Sequence, residues 1–277
     1  KNSIYKNSLN EISKLFFQVK QILRNIIFNK TFWYFKISRI SYLNFLIKHY
    51  ISYYKQKKIY NKYFVITKLR KPYVLFNLHY QPERSTDPEA DIFTNQIEIL
   101  KILNLAVPKN LNIYLKEHPR QGMYFTDLRQ THFRKVDELL EFKKFSRIKL
   151  LKKNLPSRKL IKDASLVVSA TGTSLWEACL EGVPSISFGM TWHSKCRSTP
   201  CVSNLHQTKK TISILLQKKK VDVYNDISEF LKNNKGCFLK SSNLHIFAKK
   251  SNLDYNILSN NLTVALNKII HNNLKNG

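Results

Sequence analysis

The sequence predicts an α/β protein: a parallel sheet of about five strands with helices on both faces, preceded by a helical arm and followed by C-terminal helices. Three observations carry that expectation. Between residues 73 and 189, short apolar runs alternate with helical stretches. The runs are apolar at most positions, as strands covered on both faces must be. Three of the segments that follow them are polar, which suits the carboxyl ends of parallel strands, where an open sheet holds its ligand.

The elements follow in order. Residues 8–62 show helical spacing: Ile12, Leu15, Phe16, Val19, Ile22, Leu23, Ile26 and Ile27 recur, with Lys14, Lys20 and Arg24 between them. Trp33, Phe35, Ile37, Tyr42, Phe45 and Leu46 continue the apolar set. Two readings stay open here: a basic amphipathic arm on an acidic membrane, or a connector packed on a neighbouring domain. The strands are then "YVLFNL" (73–78), "NIYL" (112–115), "RIKLL" (147–151), "SLVVSA" (165–170) and "PSISFG" (184–189). Helices are expected through Ile97, Leu100 and Leu103, around 124–142, at 156–163 and within "GTSLWEACLEG". Beyond residue 206 the pattern is helical again and ends in an amphipathic helix near 255–272. The expected boundaries are 1–66 for the arm, 67–215 for a Rossmann-like domain and 216–277 for a C-terminal helical segment.

Composition narrows the partners. Lys+Arg number 47 against 18 Asp+Glu, a formal net charge of +29 over 277 residues. Such an excess favours anionic partners, whether nucleotide phosphates, nucleic acid or an acidic membrane face. Lys, Asn, Ile and Tyr are abundant throughout, as codon bias toward A and T would produce, and that is a second reading of the charge. Nucleic acid is not expected, because no helix-turn-helix, RNP or zinc-finger pattern occurs. Cys179, Cys196, Cys201 and Cys237 form no CxxC pair, which favours a reduced cytoplasmic setting. No run reaches the roughly 18 to 20 apolar residues of a membrane span. No signal-peptide pattern is visible. The chain begins at Lys1 without a methionine, so a longer parent protein is one expectation.

Three loops carry the chemistry: "HYQPERSTDPE" (79–89), "KEHPRQG" (116–122) and "SATGTSLWEA" (169–178). In a parallel sheet they share one edge and can converge on one ligand. Ser169, Thr171, Gly172, Thr173 and Ser174 form a small-residue turn into a helix, whose first N–H groups are free to bind phosphate. Gly172 permits close backbone approach, and Thr173 or Ser174 can cap the helix or donate to phosphate. A well-capped helix start explains the same residues. Glu177 can accept from ribose hydroxyls, or it simply complements the helix dipole. His118 can donate to a phosphate oxygen or protonate a leaving group, with Lys116 adding charge and Pro119 ending the strand. A structural histidine is the other reading. Glu83 is either a general base or a surface carboxylate beside Arg84.

Taken together, "LHYQPERSTDPE", "LKEHP" and "DASLVVSATGTSLWEACLEGVPSISFG" resemble the capsular polysaccharide biosynthesis family, relatives of the bacterial Kdo transferases. The resemblance covers roughly residues 71–192. It implies a glycosyltransferase with two Rossmann-like domains facing a cleft (the GT-B arrangement), of which this chain matches the C-terminal, nucleotide-binding half. It further implies that His118 and Pro119 contact the phosphate of a CMP-activated acidic sugar. The hydroxyl-rich loop then falls on Ser169 to Ser174 and the helix glutamate on Glu177.

Departures from the family pattern also count. Only one Rossmann-like unit is visible, so the chain is either the C-terminal part of a longer enzyme or a cut-down form. "MTWHS" (190–194) lacks the aromatic pair expected after the last strand. The function expected is a glycosyltransferase, or its nucleotide-sugar half, in surface polysaccharide synthesis, with a glycan or glycolipid acceptor. It would act in the cytoplasm or at the inner face of the membrane. No metal is expected, since no Asp-x-Asp cluster occurs and cationic side chains with helix N–H groups can neutralise a leaving phosphate. Two alternatives stand beside it: a polyol-phosphate transferase resembling the teichoic-acid polymerases, and a non-catalytic module of a capsule assembly complex.

Overall fold

A computed structural model describes residues 39–81, 89–119, 121, 134, 136–235, 257, 260, 263 and 264. Two compact units divide the chain, residues 1–224 and 225–277. The first contains the sheet. In the second, the described residues 225–233 and 257, 260, 263 and 264 are helical. Most of the helix expected near 255–272 lies outside the described residues, as do the first 38 residues of the arm.

Five parallel strands form the sheet: β1 (Tyr73–Asn77), β2 (Asn112–Lys116), β3 (Ile148–Leu150), β4 (Leu166–Ser169) and β5 (Ser185–Ser187). All five lie inside the runs read from the sequence or within a residue of them. Their spatial order is β3-β2-β1-β4-β5. Register is set by pairs such as Phe76↔Leu115 and Phe76↔Val168, which put β1 at the centre. That order reverses direction between β1 and β4, the switch point at which two neighbouring loops diverge and leave a crevice.

Alternate strand residues feed two cores. Val74, Phe76, Ile113, Leu115, Leu166, Val168 and Ile186 face one side, and Tyr73, Leu75, Tyr114 and Val167 face the other. The first side is covered by α1 (Arg39–Tyr63), α2 (Gln96–Ala106), α3 (Val136–Lys144) and α6 (Leu205–Leu215), through Tyr60, Leu100, Phe142 and Ile212 among others. The second is covered by α4 (Ser157–Asp163) and α5 (Ser174–Leu180), through Leu160, Ile161, Leu175 and Ala178. Each large side chain fully buried this way contributes roughly 1.5–3 kcal/mol of transfer free energy. A last helix, α7 (Lys220–Asn233), follows.

Local signals explain the ends of these helices. Asn95 caps α2 by accepting from the Ile97 N–H, and Asn204 caps α6 by accepting from the Gln207 N–H. After α5, Gly182 takes φ +74°, the left-handed conformation that terminates a helix at little cost only for glycine. Of the arm, the end of α1 is bolted to the core. Tyr60 and Phe64 are buried and stacked at 5.0 Å, and Ile66 bridges to the edge of the sheet beside Leu151. Earlier in α1, Ile47, Ile51 and Tyr54 are exposed along one face. The last turn of α1 and the residues just after it thus pack on the sheet's own core and edge.

Candidate functional site

The crevice at the switch point is a cleft of about 330 Å³. Its walls include Lys116, His118 and Pro119 from the end of β2, and Ser169, Thr171, Gly172, Thr173, Ser174 and Glu177 from the β4–α5 turn. All nine were singled out from the sequence. The tenth, Glu83, lies outside the described residues. Asn77, Leu78, His79, Glu117 and Ser157 complete the lining.

The β4–α5 turn is held from behind. Ser169 Oγ donates to the Asn77 carbonyl at 2.8 Å, which fixes the end of β4 against β1. His79 Nε2 accepts from the Thr171 N–H at 3.2 Å, so the proton of this imidazole sits on Nδ1. Burial, with the Arg134 guanidinium adding to it, lowers the His79 pKa to about 4, and the ring is neutral at physiological pH. A Cβ added at Gly172 would stand 2.8 Å from Ser169 Oγ and 3.1 Å from His79 Nε2, so glycine is what lets the turn close over that ring. The N–H groups of Gly172, Thr173 and Ser174 make no hydrogen bond among the described residues. Thr173 occupies the cap position of α5 but makes no capping bond; its hydroxyl lies 3.5 Å from Glu177 Oε1. The capping role expected from the sequence is thus not taken by Thr173, because its backbone is already helical (φ −57°, ψ −22°) and turns the side chain away from the N–H groups it would cap.

The β2 loop is built differently, around a buried charge pair. Glu117 and Arg134 side chains are 0% and 1% exposed. Arg134 Nε donates to Glu117 Oε2 at 2.7 Å and a terminal nitrogen donates to Oε1 at 3.2 Å. Tyr60 of α1 donates to Oε2 at 2.9 Å, and the His118 N–H donates to Oε1 at 2.8 Å. Every lone pair direction of the carboxylate is thereby used. Arg134 also donates to Glu138, Gln81 and the His79 carbonyl, so one guanidinium ties three segments together. Burial works against its charge, yet Glu117 and Glu138 outweigh that and hold it protonated. Burial and the nearby carboxylate push the Tyr60 hydroxyl far up, so it stays a donor.

Two further ties fix this loop. Gln81 and Gln121 exchange bonds, Gln81 N–H to Gln121 Oε1 at 2.9 Å and Gln121 Nε2 to the Gln81 carbonyl at 3.1 Å. Lys116 is buried, and its Nζ donates to the Lys153 carbonyl at 3.0 Å. Burial lowers its pKa, with Glu117 opposing. His118 is half-buried, with the Tyr80 ring 5.7 Å from its own. After β5, Trp192 packs on Trp176 at 4.8 Å and on His193 at 5.0 Å. Trp192 of "MTWHS" thus has an aromatic partner in α5, and neither ring lines the cleft.

Sequence reading missed His79, Glu117 and Arg134. His79 and Glu117 stand inside the quoted motifs, Glu117 directly between Lys116 and His118. Arg134 carries little local signal, since apart from Glu138 its partners lie 17 to 55 residues away in sequence.

Comparison with known proteins adds the following. A family model described as "Capsule polysaccharide biosynthesis protein" matches residues 10–199. No curated protein matches the chain. Among solved structures, a UDP-GlcNAc 2-epimerase from Methanocaldococcus jannaschii is similar at 20% identity and TM-score 0.38, over 60% of this chain and 44% of that one. KpsC, a beta Kdo 2,7 transferase from Thermosulfurimonas dismutans, is similar at 18% identity and TM-score 0.36, over 58% and 52%. The spinosyn rhamnosyltransferase SpnG, complexed with spinosyn aglycone, is similar at 12% identity and TM-score 0.36, over 59% and 43%. The chain thus spans about half the length of these proteins or less.

Proposed function

The chain belongs to the capsule polysaccharide biosynthesis family, and from that premise we propose that it is the nucleotide-sugar half of a glycosyltransferase. Its cleft would hold a CMP-activated sugar. One observation carries this reading: loops distant in sequence bring nine residues of phosphate- and ribose-binding type around one cleft at the switch point of a parallel sheet. Within the family's two-domain architecture the sheet corresponds to the C-terminal half. The acceptor-binding half would be a separate domain of a longer protein.

The chemistry follows from the charges. An acceptor hydroxyl oxygen forms the new bond to the anomeric carbon while the bond from that carbon to the nucleotide phosphate breaks. The electron pair leaves on the phosphate, and the hydroxyl proton passes to a base, for which Glu83 is the candidate. What must be stabilised is the growing phosphate charge. The N–H groups of Gly172, Thr173 and Ser174, at the positive end of the α5 dipole, are the donors that would meet it. His118 donates from the opposite wall, with Lys116 behind it supplying positive charge to the field. Glu177, exposed in the first turn of α5, is placed to accept from ribose hydroxyls. Calorimetry with CMP, CDP, UDP and CDP-glycerol tests the assignment. The expected order puts CMP first; preference for CDP-glycerol would move the chain to polyol-phosphate transfer, and failure of all four on folded protein would remove the nucleotide site.

The arm supports a second part of this proposal. Among the described residues no helix is long and apolar enough to cross a membrane. The exposed face of α1 nonetheless sets Ile47, Ile51 and Tyr54 beside exposed Lys48, Lys55 and Lys58. That pattern suits weak adsorption to an anionic leaflet, at about 1 kcal/mol per basic residue near the surface. Co-sedimentation should detect binding to anionic vesicles that salt reverses, and none to neutral vesicles.

A further inference from the structure

Resting on the nucleotide reading of the cleft, we propose that Tyr60, a residue of the arm, is a positioning residue of the site. Its hydroxyl sets the Glu117 carboxylate, and through that carboxylate the direction in which His118 meets the nucleotide phosphate. Tyr60 is not among the residues that line the cleft, so it acts through its neighbours.

The relay is short. Glu117 Oε1 accepts the N–H of the very next residue, His118, at 2.8 Å. The carboxylate therefore fixes the peptide plane from which the His118 side chain departs. On the far side of His118, a following proline disfavours helical backbone and keeps the residue extended. How firmly His118 points thus depends on how firmly the carboxylate is held.

Arg134 alone does not hold it in every direction. Its grip is lopsided, 2.7 Å to Oε2 against 3.2 Å to Oε1, and Oε1 is the oxygen that carries His118. A carboxylate gripped mainly at one oxygen can pivot about that contact. Tyr60 adds a second bond to Oε2, 2.9 Å long, from a different element of the fold. Two donors on that oxygen remove the pivot.

Tyr60 is itself a fixed post. It is 5% exposed, and its ring stacks on Phe64, one turn later, at 5.0 Å. Just beyond, the Ile66 N–H donates to the Leu150 carbonyl at 3.2 Å and the Ile66 carbonyl accepts from the Lys152 N–H at 2.8 Å, which pins the chain to the edge strand. The hydroxyl therefore comes from a support independent of the loop that it steadies.

Calorimetry with CMP on the full chain tests this role in a double-mutant cycle. Tyr60→Phe, which keeps the ring and removes the hydroxyl, should weaken CMP binding by about threefold to tenfold. On a His118→Ala background the same change should alter affinity by less than about twofold, because the group it aims is gone. Tyr73→Phe is the matched control. Tyr73 is also buried and donates to the Leu160 carbonyl at 2.7 Å on the other face of the sheet, so its loss removes a buried hydrogen bond without touching the relay. That control should keep CMP affinity within about twofold of the parent. A loss from Tyr60→Phe that is equal with and without His118, or one matched by Tyr73→Phe, would reduce Tyr60 to a structural residue. Hydrogen exchange on the unaltered chain needs no variant to fold. By linkage, CMP should slow exchange in the last turn of α1 as well as at 116–119. Protection of the β4–α5 turn with none in α1 would overturn the proposal. A chain that binds no CMP would remove the reading of the cleft itself, and the positioning role with it.

Discussion

The two walls of the cleft solve one problem by opposite means. On the β2 side, the loop that presents His118 is organised by charge: a fully buried carboxylate, a fully buried guanidinium and a tyrosine from the arm. On the β4 side, the turn from Ser169 to Ser174 is organised without any net charge, by a neutral histidine, a serine hydroxyl and the room a glycine leaves. The difference matches what each wall is asked to do. A side chain that must point in one direction needs a stiff loop, and a two-nitrogen clamp on a carboxylate is stiff. A turn that must leave backbone N–H groups open needs its side-chain acceptors turned elsewhere. The lesson is that the free donors of the turn depend on what His79 accepts behind it.

That contrast can be broken most strongly on the charged side. Arg134→Met leaves Glu117 buried without its counter-charge and should cost about 3–5 kcal/mol in urea unfolding. Replacing Glu117 by Leu in the same chain should recover part of the loss, since two apolar groups can substitute for a buried pair. A loss below about 1 kcal/mol for the single change would mean that the pair is solvated in solution.

Acid should break the other side. His79 and His193 are both buried, and burial lowers each pKa from the ordinary 6.5 to about 4, with Arg134 adding to it for His79. The folded protein then binds fewer protons than the unfolded chain between those values. Their contribution to stability is complete above pH 6.5 and is lost as the pH falls toward 4, by roughly 3 kcal/mol for each ring. His79→Gln should flatten this part of the stability profile by about half. An unchanged profile in the variant would place the titration elsewhere.

A smaller effect sharpens the comparison without disturbing either scaffold. His118→Ala removes what the charged loop presents but leaves Glu117, Arg134 and Tyr60 in place. Nucleotide binding should weaken by about 1.5–3 kcal/mol, the range for a hydrogen bond to a charged group, with unfolding nearly unchanged. Unaltered affinity would return His118 to a structural role.

By itself, the sequence determined the sheet and which loops line its working edge. Apolar runs such as "YVLFNL" and "SLVVSA" have a single physical use when helical stretches separate them, and strand direction then fixes where Lys116, His118 and Gly172 must lie. Those are short-range consequences of periodicity and chain connectivity. Tertiary structure alone decided who holds these residues in place. Tyr60 meets Glu117 across 57 positions, and His79 meets Thr171 across 92. No local pattern encodes such pairs, because a buried polar group is satisfied by whichever partner packing brings within reach. For the same reason the sequence could name residues that line the cleft, while only the packed core could show that one wall rests on a buried charge pair and the other on an uncharged ring.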